Sequence, residues 1–504
     1  METIKTKICV VGTGIAGSLC AKYLSEKVDD IVIVERGARM SHTERLQTRK
    51  QEIPISSAIH RDLVLGEVPN KKLQYVYALG GTTNHWMGQT PRLLPNDFRM
   101  KSLYGVGDDW PVSYEELEPY YCLAEEELAV AGASDNPRIP RSKPYPLEPH
   151  EFSPGDLLFQ RCFAKGVIVS SPQARPTKDV GNRPACCGSA TCDLCPVDSK
   201  YTTLNTHIPQ LDAMNNVRIL PQRVVAHLES DGNRKVRRAF TVNNHGDELS
   251  IEADTFILAA HTLENAAIIL RSAGLKQHPL TGKYLFDHPN FTVLFLLNQE
   301  AFPGYGQTVF TAHCYEFYDG DFRKHHAGAL GEIYNIGHFP VAHFVWKAAF
   351  EEGLTGDALR QRVTDRYRRQ LTMNFLVEDL PNPERWIRIG QKSGELRIPV
   401  TEVFYTKNSD YAVEARNRIV KELPRFVAPL GVSEMIATDL EDHAGHLLGT
   451  CRMGPYERGV VDEQLRYHEM DNLYVLGGSA FPTYSPSNPT LTIAALAVRL
   501  ATNL

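Results

Sequence analysis

The stretch KICVVGTGIAGSLCAKYLSEKVDDIVIVE, Lys7 to Glu35, decides the fold class. KICVV reads as a short buried strand, SLCAKYLSEK as a helix, and IVIVE as a second apolar strand ending at Glu35. Between the first strand and the helix lies Gly12-Thr13-Gly14-Ile15-Ala16-Gly17, the G-x-G-x-x-G spacing. Gly12 makes the tight turn, Gly14 lets the backbone approach a pyrophosphate, and Gly17 lets helix and strand pack closely. The N-terminus of the helix faces the phosphates, and Glu35, 18 residues after Gly17, accepts from a ribose hydroxyl. Such a turn can be close packing alone. Flanked by strand, helix and acid, it points to dinucleotide binding.

The chain has 504 residues, enough for two or three lobes with cores of their own. Apolar residues make up 42% and charged residues 23%, the balance of a soluble globular protein. A formal charge of −6 and the lack of a long basic stripe argue against nucleic acid as a partner. RYRRQ (366–370) reads as the solvated face of a helix. No apolar run reaches the roughly 18 residues of a membrane span, so an integral membrane protein is not expected. METIKTKICVV runs directly into a strand and does not read as a cleavable leader. The expected location is the cytoplasm, with the periplasm only by export alongside a signal-bearing partner. In a reducing compartment, clustered cysteines are more often metal ligands than disulfides.

The fingerprint alone does not separate NAD from FAD. A second glycine cluster, ALGGTTNHWMG (Ala78 to Gly88), offers the backbone amides of Gly80 and Gly81 to a pyrophosphate or a flavin edge. Far downstream come HAGHLLGTCRMG (His443 to Gly454) and DNLYVLGGSAFPTYSPSNPTLTIAALAVR (Asp471 to Arg499). The latter reads as strand, glycine turn, polar loop and helix, with Asn488 just before the helix and Pro489 in its first turn. Pieces from both ends of the chain build one site.

With these motifs in this order, the chain resembles the GMC (glucose–methanol–choline) flavoprotein oxidoreductases. The resemblance rests on the fingerprint, GGTTNHW, FILAAHTLENAAIILRSAG (Phe256 to Gly274), GKYLFDHPN (Gly282 to Asn290), HLLGTCRMG and SNPTLTIAALA. It implies an α/β chain with a discontinuous Rossmann-like FAD-binding domain (1–105, 185–285 and 430–504). A substrate domain built on an antiparallel sheet (106–184 and 286–429) is inserted into it. It also implies FAD as cofactor and oxidation of an alcohol carbon by hydride transfer to flavin N5. The FAD contacts it implies are Gly12, Gly14, Ile15, Ala16, Gly17, Glu35, Gly80, Gly81, Thr82, Asn84, His85, Trp86, Val225, Ala260, Gly478, Asn488, Pro489 and Thr490.

In the family, the first residue of the H-x-x-G-T-C-R-M-G motif is the catalytic base, and a His or Asn beginning the last helix is its partner. Those positions fall on His446 and Asn488. The residue types suit the chemistry, because a hydride leaves an alcohol carbon readily only if the hydroxyl proton leaves with it. An imidazole of near-neutral pKa takes that proton and is then reset. Asn488 holds the same oxygen without competing for the proton. His443 is expected to support packing or orient a neighbour, and His288 to make a structural hydrogen bond near the flavin. Two departures place the chain in a branch. Gly477 stands where many members carry an acid, as in the pyranose oxidases and bacterial sugar dehydrogenases. His85 aligns with a histidine that bonds flavin covalently in some members of that branch, while others hold FAD without such a bond.

PACCGSATCDLCPVD (Pro184 to Asp198) holds four of the ten cysteines. A disulfide is the weakest reading, since adjacent Cys186 and Cys187 pair only in a strained ring. Cys192-x-x-Cys195 is half of a thiolate zinc site, and Cys195-Pro196 fits an iron–sulfur run. The segment is similar to one in the sugar dehydrogenase branch, where a three-iron (3Fe-4S) cluster is held by three of four cysteines. Carried over, the ligands are Cys186, Cys192 and Cys195, although the last gap is one residue shorter here. Such a cluster passes a flavin's two electrons on singly. No C-x-x-C-H is present, so the chain carries no c-type haem of its own and the expected acceptor is a partner subunit, a cytochrome or a small chaperone-like one.

FTVLFLL (Phe291 to Leu297) and ERWIRIG (Glu384 to Gly390) are expected in the substrate sheet, and PRIPRSKPYPLEP (Pro137 to Pro149) as a proline-rich loop. The branch implies a sugar, glycoside or sugar-derived substrate, with Tyr484 and Ser485 offered to its hydroxyls. The leading expectation is an FAD-dependent dehydrogenase relaying electrons through the cluster. An oxidase using O2 with structural cysteines is the alternative, and a non-redox lyase of the same family a further one.

Overall fold

The first strand is Glu2–Val11, longer than its apolar half because the polar half pairs as well. It lies parallel to Glu248–Leu258, in register from Glu2↔Leu249 to Val11↔Leu258. The computed structural model describes residues 2–50, 62–69, 71–305, 308–394, 396–441 and 445–504. Among them the strands form three sheets.

The seven-stranded sheet runs Val217–Leu220, Ile31–Val34, Glu2–Val11, Glu248–Leu258, Val236–Asn243, Arg223–Ser230, with Leu473–Val475 also parallel to Glu248–Leu258. Its parallel centre is apolar on both faces: Cys9, Val10, Ile31, Val32, Ile33, Phe256, Ile257 and Leu258 are all at 0% exposure. Helices Ile15–Ser25 and Thr490–Asn503 pack against each other beside this sheet. The turn after the first strand needs its glycines. Gly12 sits at φ +106°, where a Cβ would lie 2.4 Å from the Ala259 carbonyl oxygen, and a Cβ on Gly17 would lie 2.0 Å from that of Gly12.

The six-stranded sheet is antiparallel throughout, in the order Val432–Ala437, Asn290–Leu297, Gln370–Val377, Ala329–Tyr334, Phe310–Cys314, Ile168–Ser170. One face buries Val293, Met373, Ile333 and Ala312 against helix Asp410–Val427, whose Tyr411, Ala412, Ala415, Ile419 and Leu423 form an apolar stripe. Ser409 starts that helix by accepting from the Ala412 N–H.

A third, five-stranded sheet orders Leu448–Thr450, Lys283–Phe286, Trp386–Ser393, Pro399–Tyr405 and Leu63–Gly66. It corrects one expectation: the strand of ERWIRIG belongs here, while FTVLFLL is in the six-stranded sheet. The alternation of either strand fits any half-buried sheet, and only the distant partners decide which one. The architecture is mixed α/β, with a parallel-centred sheet carrying the glycine turn and a separate antiparallel sheet with a core of its own. Among the described residues no helix is long and apolar enough to cross a membrane.

Candidate active site

A cavity enclosing about 1280 Å³, open mouth included, is lined by Gly12, Gly14, Ile15, Ala16, Glu35, Gly81, Thr82, Trp86, Val225, Ala260, His446, Gly478, Pro489 and Thr490. Of the expected contacts, Gly17, Gly80, Asn84, His85 and Asn488 do not line it. Gly17 is consumed by helix–strand packing. The Gly80 N–H donates to Thr13 Oγ1, and Asn84 Nδ2 donates to the carbonyls of Leu79 and Gly81, so both brace the second glycine turn. His85 is mostly buried, which brings its pKa down to about 4, and its Nε2 has no partner among the described residues.

The lining fits a dinucleotide. Helices Ile15–Ser25 and Thr490–Asn503 both begin at the cavity wall, and neither has a side-chain cap or an acid in its first turn. Their first N–H groups are therefore left to an anion. A Cβ on Gly14 would meet nothing within 4 Å, so the backbone there stands open to the cavity. Glu35 does more than expected. Its carboxylate accepts from the Thr13 N–H at 2.9 Å, the Thr13 hydroxyl at 2.6 Å and the Gly37 N–H at 2.7 Å. It thus braces the glycine turn while bordering the cavity, and burial raises its pKa.

The cavity wall also holds His446, brought against the buried His288 by register. Leu448 pairs with Phe286 in antiparallel strands. Continuing that register by two residues sets His446 opposite His288. The Asp287 carboxylate fixes the backbone, accepting from the His446 N–H at 2.7 Å while it pairs with the buried Lys71 ammonium at 2.7 Å. The rings meet through their Nδ1 atoms, 2.9 Å apart, and His288 Nε2 lies 2.5 Å from the Ser485 carbonyl oxygen.

Protons can be assigned along this chain. Burial lowers the pKa of His288 to about 4 and that of His446, helped by His288, to about 3, so both rings are neutral near pH 7. A carbonyl oxygen only accepts, so the single N–H of His288 is on Nε2 and its Nδ1 is an acceptor. His446 must then donate from Nδ1. Its Nε2 is left as a bare lone pair on a cavity-lining ring, the form a general base requires. His443 lies outside the described residues.

Asn488 sits one residue before the helix cap Pro489. Its Nδ2 donates to Glu332 Oε1 at 3.2 Å, and its Oδ1 is buried without a partner among the described residues. The loop before it is held by Tyr318, whose hydroxyl reaches Ser485 Oγ at 2.9 Å and Ser487 Oγ at 2.8 Å. Sequence reasoning missed Arg36, Tyr75, Tyr77 and His261, which also line the cavity. The Arg36 guanidinium stacks 3.8 Å from the centre of the Tyr77 ring, and Tyr75 lies 4.9 Å from His261. No local motif marks these residues, and only the glutamate-ending strand beside Arg36 hinted at its place.

All ten cysteines are unpaired thiols, which removes the disulfide reading. Among the described residues no three His, Cys, Asp or Glu side chains converge as a metal-ligand set, and Cys186, Cys192 and Cys195 are no exception. Cys192 is buried against Val309 and Phe310, Cys186 and Cys195 are half-buried, and Cys187 is exposed. The surroundings are cationic: the buried Arg175 guanidinium donates to Cys192 Sγ, and the buried Lys200 ammonium donates to the Asp193 carbonyl at 2.9 Å.

Comparison with known proteins agrees with this geometry. Residues 160–290 and 401–497 match the N- and C-terminal sequence models of the GMC oxidoreductases. The fructose dehydrogenase large subunit of Gluconobacter japonicus is 27% identical, across 99% of this chain and 98% of that one. The 6'''-hydroxyparomomycin C oxidase of Streptomyces lividus is 26% identical, across 98% and 90%. In fold, the crystal structure of pyridoxine 4-oxidase from Mesorbium loti superposes with a TM-score of 0.66 at 18% identity, covering 99% of each chain. The chain belongs to the GMC oxidoreductase family. It is an FAD-dependent oxidoreductase acting on CH–OH groups.

Proposed function

We propose that the protein oxidises an alcohol carbon of a sugar or sugar-derived substrate to the carbonyl, with His446 as base and Asn488 as its partner. The observation that carries this reading is the His288–His446 contact, which leaves His446 Nε2 unprotonated at the cavity wall. The substrate class is supported by relatives named for fructose, hydroxyparomomycin C and paromamine. FAD, held by the two helix N-termini and the glycine turn, supplies a hydride acceptor when bound. The chain's own part is the proton. His446 Nε2 takes it from the substrate hydroxyl, Nδ1–H keeps its bond to His288 as the imidazolium forms, and Asp287 holds the backbone in place. A buried ring resists that charge, so the proton is readily released again.

For the electrons' exit we propose the expected iron–sulfur cluster on Cys186, Cys192 and Cys195, with a partner subunit as acceptor. It is supported by the donor chemistry, three cysteine thiols close in sequence beside Arg175 and Lys200, and by the relative named as a large subunit. The thiols must draw together to hold it, and no catalytic step above depends on it.

Anaerobic mixing with D-fructose and with paromamine tests the first proposal. Bleaching of the bound flavin by either is the expected result, and a flavin that no alcohol bleaches contradicts it and favours a non-redox role. Oxygen uptake during turnover separates an oxidase from a dehydrogenase. Iron content and electron paramagnetic resonance on anaerobically purified protein test the cluster, and iron-free protein sinks it.

A further inference from the structure

The six-stranded sheet carries a polar row on the face opposite its apolar core. Register aligns Thr292 with Asn374, Asn374 with Glu332, and Glu332 with His313, one residue from each of four neighbouring strands. All but Thr292 are buried. Several buried carboxylates meet cations: Asp287 meets Lys71 at 2.7 Å, Glu125 meets Arg92 at 2.7 Å, and Asp97 meets Arg323 at 3.0 Å. Buried Asp156 instead accepts from the Ser153 N–H and the Thr311 hydroxyl. Among the described residues Glu332 meets no cation, only two amides. Asn374 Nδ2 donates to Oε2 at 2.9 Å, and Asn488 Nδ2 donates to Oε1 at 3.2 Å. Asn374 cannot easily turn round, because its Oδ1 already accepts from Thr292 Oγ1 at 3.2 Å and Asn290 Nδ2 at 3.3 Å. Donors therefore converge on the Glu332 carboxylate from both sides, and Asn488 Oδ1 is left without a partner among the described residues.

We propose that Glu332 is a positioning residue that fixes the amide of Asn488 with its carbonyl end free, so that the site takes alcohols bearing a second hydrogen-bond donor on the neighbouring carbon. The inference rests on the functional reading above and narrows its substrate class. A hydroxyl has one hydrogen, and in the reacting alcohol that hydrogen goes to His446 Nε2. Asn488 directly precedes Pro489 and Thr490, which line the cavity, and an orphaned buried acceptor is costly, so a substrate seated there meets Asn488 Oδ1 with a different donor. A vicinal hydroxyl or amine, present throughout sugars and amino sugars, supplies one. A monohydric alcohol or a neighbouring ether does not.

The test is anaerobic flavin reduction by 2-methyl-1,2-propanediol and by its ether 2-methoxy-2-methylpropan-1-ol, which share one oxidisable carbon. The wild type should favour the diol in rate over apparent Kd by roughly tenfold or more. In Glu332→Gln the amide oxygen keeps Asn374 and the new N–H faces Asn488, so the Asn488 amide turns over. The diol preference should then collapse or invert. Asn488→Ala should erase the same preference, and the double variant should lose no more than either single one. A purely structural Glu332 would slow both probes alike and leave their ratio unchanged, which overturns the proposal. If Glu332→Gln holds no flavin, the ratio in Asn488→Ala decides, and an undiminished diol preference there also overturns it. Wild-type flavin reduced by D-fructose but equally well or not at all by both probes defeats this inference alone. Wild-type flavin reduced by no alcohol defeats the functional reading beneath it.

Discussion

The two walls of the cavity are built from different materials. The nucleotide wall is backbone: a glycine turn and two helix N-termini without caps, where the essential feature is space for a ligand. The catalytic wall is side chain: His446 lines it with His288 against its ring, and Glu332 holds Asn488 next to the lining residue Pro489, so the essential feature is which atom carries a hydrogen. Damage to the first should cost cofactor or fold, and damage to the second should cost rate or selectivity with cofactor retained.

The largest effect is expected at Gly12. Valine there combines a φ of +106° with a Cβ 2.4 Å from the Ala259 carbonyl oxygen, backbone on both sides. Gly12→Val should yield insoluble or flavin-free protein, read from the flavin absorbance of the purified fraction. A soluble, fully loaded variant would break the comparison. Next comes His288. His288→Ala frees His446 to take the other tautomer and should slow flavin reduction by about 10²-fold or more with flavin still bound. His288→Gln can donate to the Ser485 carbonyl and accept from His446, so it should recover much of that loss. Equal loss in both variants would show packing to be the role of His288.

A smaller effect concerns stability. Burial raises the Glu332 carboxyl from an ordinary 4.5 to about 7. Because the folded pKa lies above the unfolded one, the folded state is favoured by the bound proton at low pH. That contribution is lost as pH rises through 7. Glu332→Gln does not titrate, so its melting temperature should gain on the wild type between pH 5 and pH 8, corresponding to at most about 3 kcal/mol. The groups facing Glu332 are Asn374, Asn488, His313 and Tyr334, and burial keeps His313 neutral, with its pKa near about 3. A pH-independent difference would mean that Glu332 is already ionised in the fold. The mildest change is Gly14→Ala, whose Cβ meets nothing. It should leave the melting temperature of the flavin-free protein unchanged and weaken flavin binding by roughly tenfold, as measured by flavin titration.

The same division decides what could be read from the sequence. The nucleotide wall was legible because its signal is contiguous: strand, Gly12 to Gly17, helix and Glu35 lie within 29 residues. His446 and Asn488 were legible through family motifs rather than through any physical pattern of their own. Glu332 was not. It is one alternating residue of Ala329–Tyr334, and its significance depends on register with Gln370–Val377 and on a loop more than 150 residues away. His288 was assigned only a structural hydrogen bond, because the pairing that sets it opposite His446 joins residues 158 apart in the chain. The strand of ERWIRIG was placed in the wrong sheet for the same reason, since alternation names a strand and not its neighbours.

The most direct test of the account is rapid-mixing measurement of flavin reduction by D-fructose in the wild type and in His446→Ala, both loaded with flavin. The account predicts that the variant keeps its flavin while reduction slows by about 10²–10⁴-fold. Reduction at the wild-type rate would contradict it, because the proton would then leave by a route that does not involve His446.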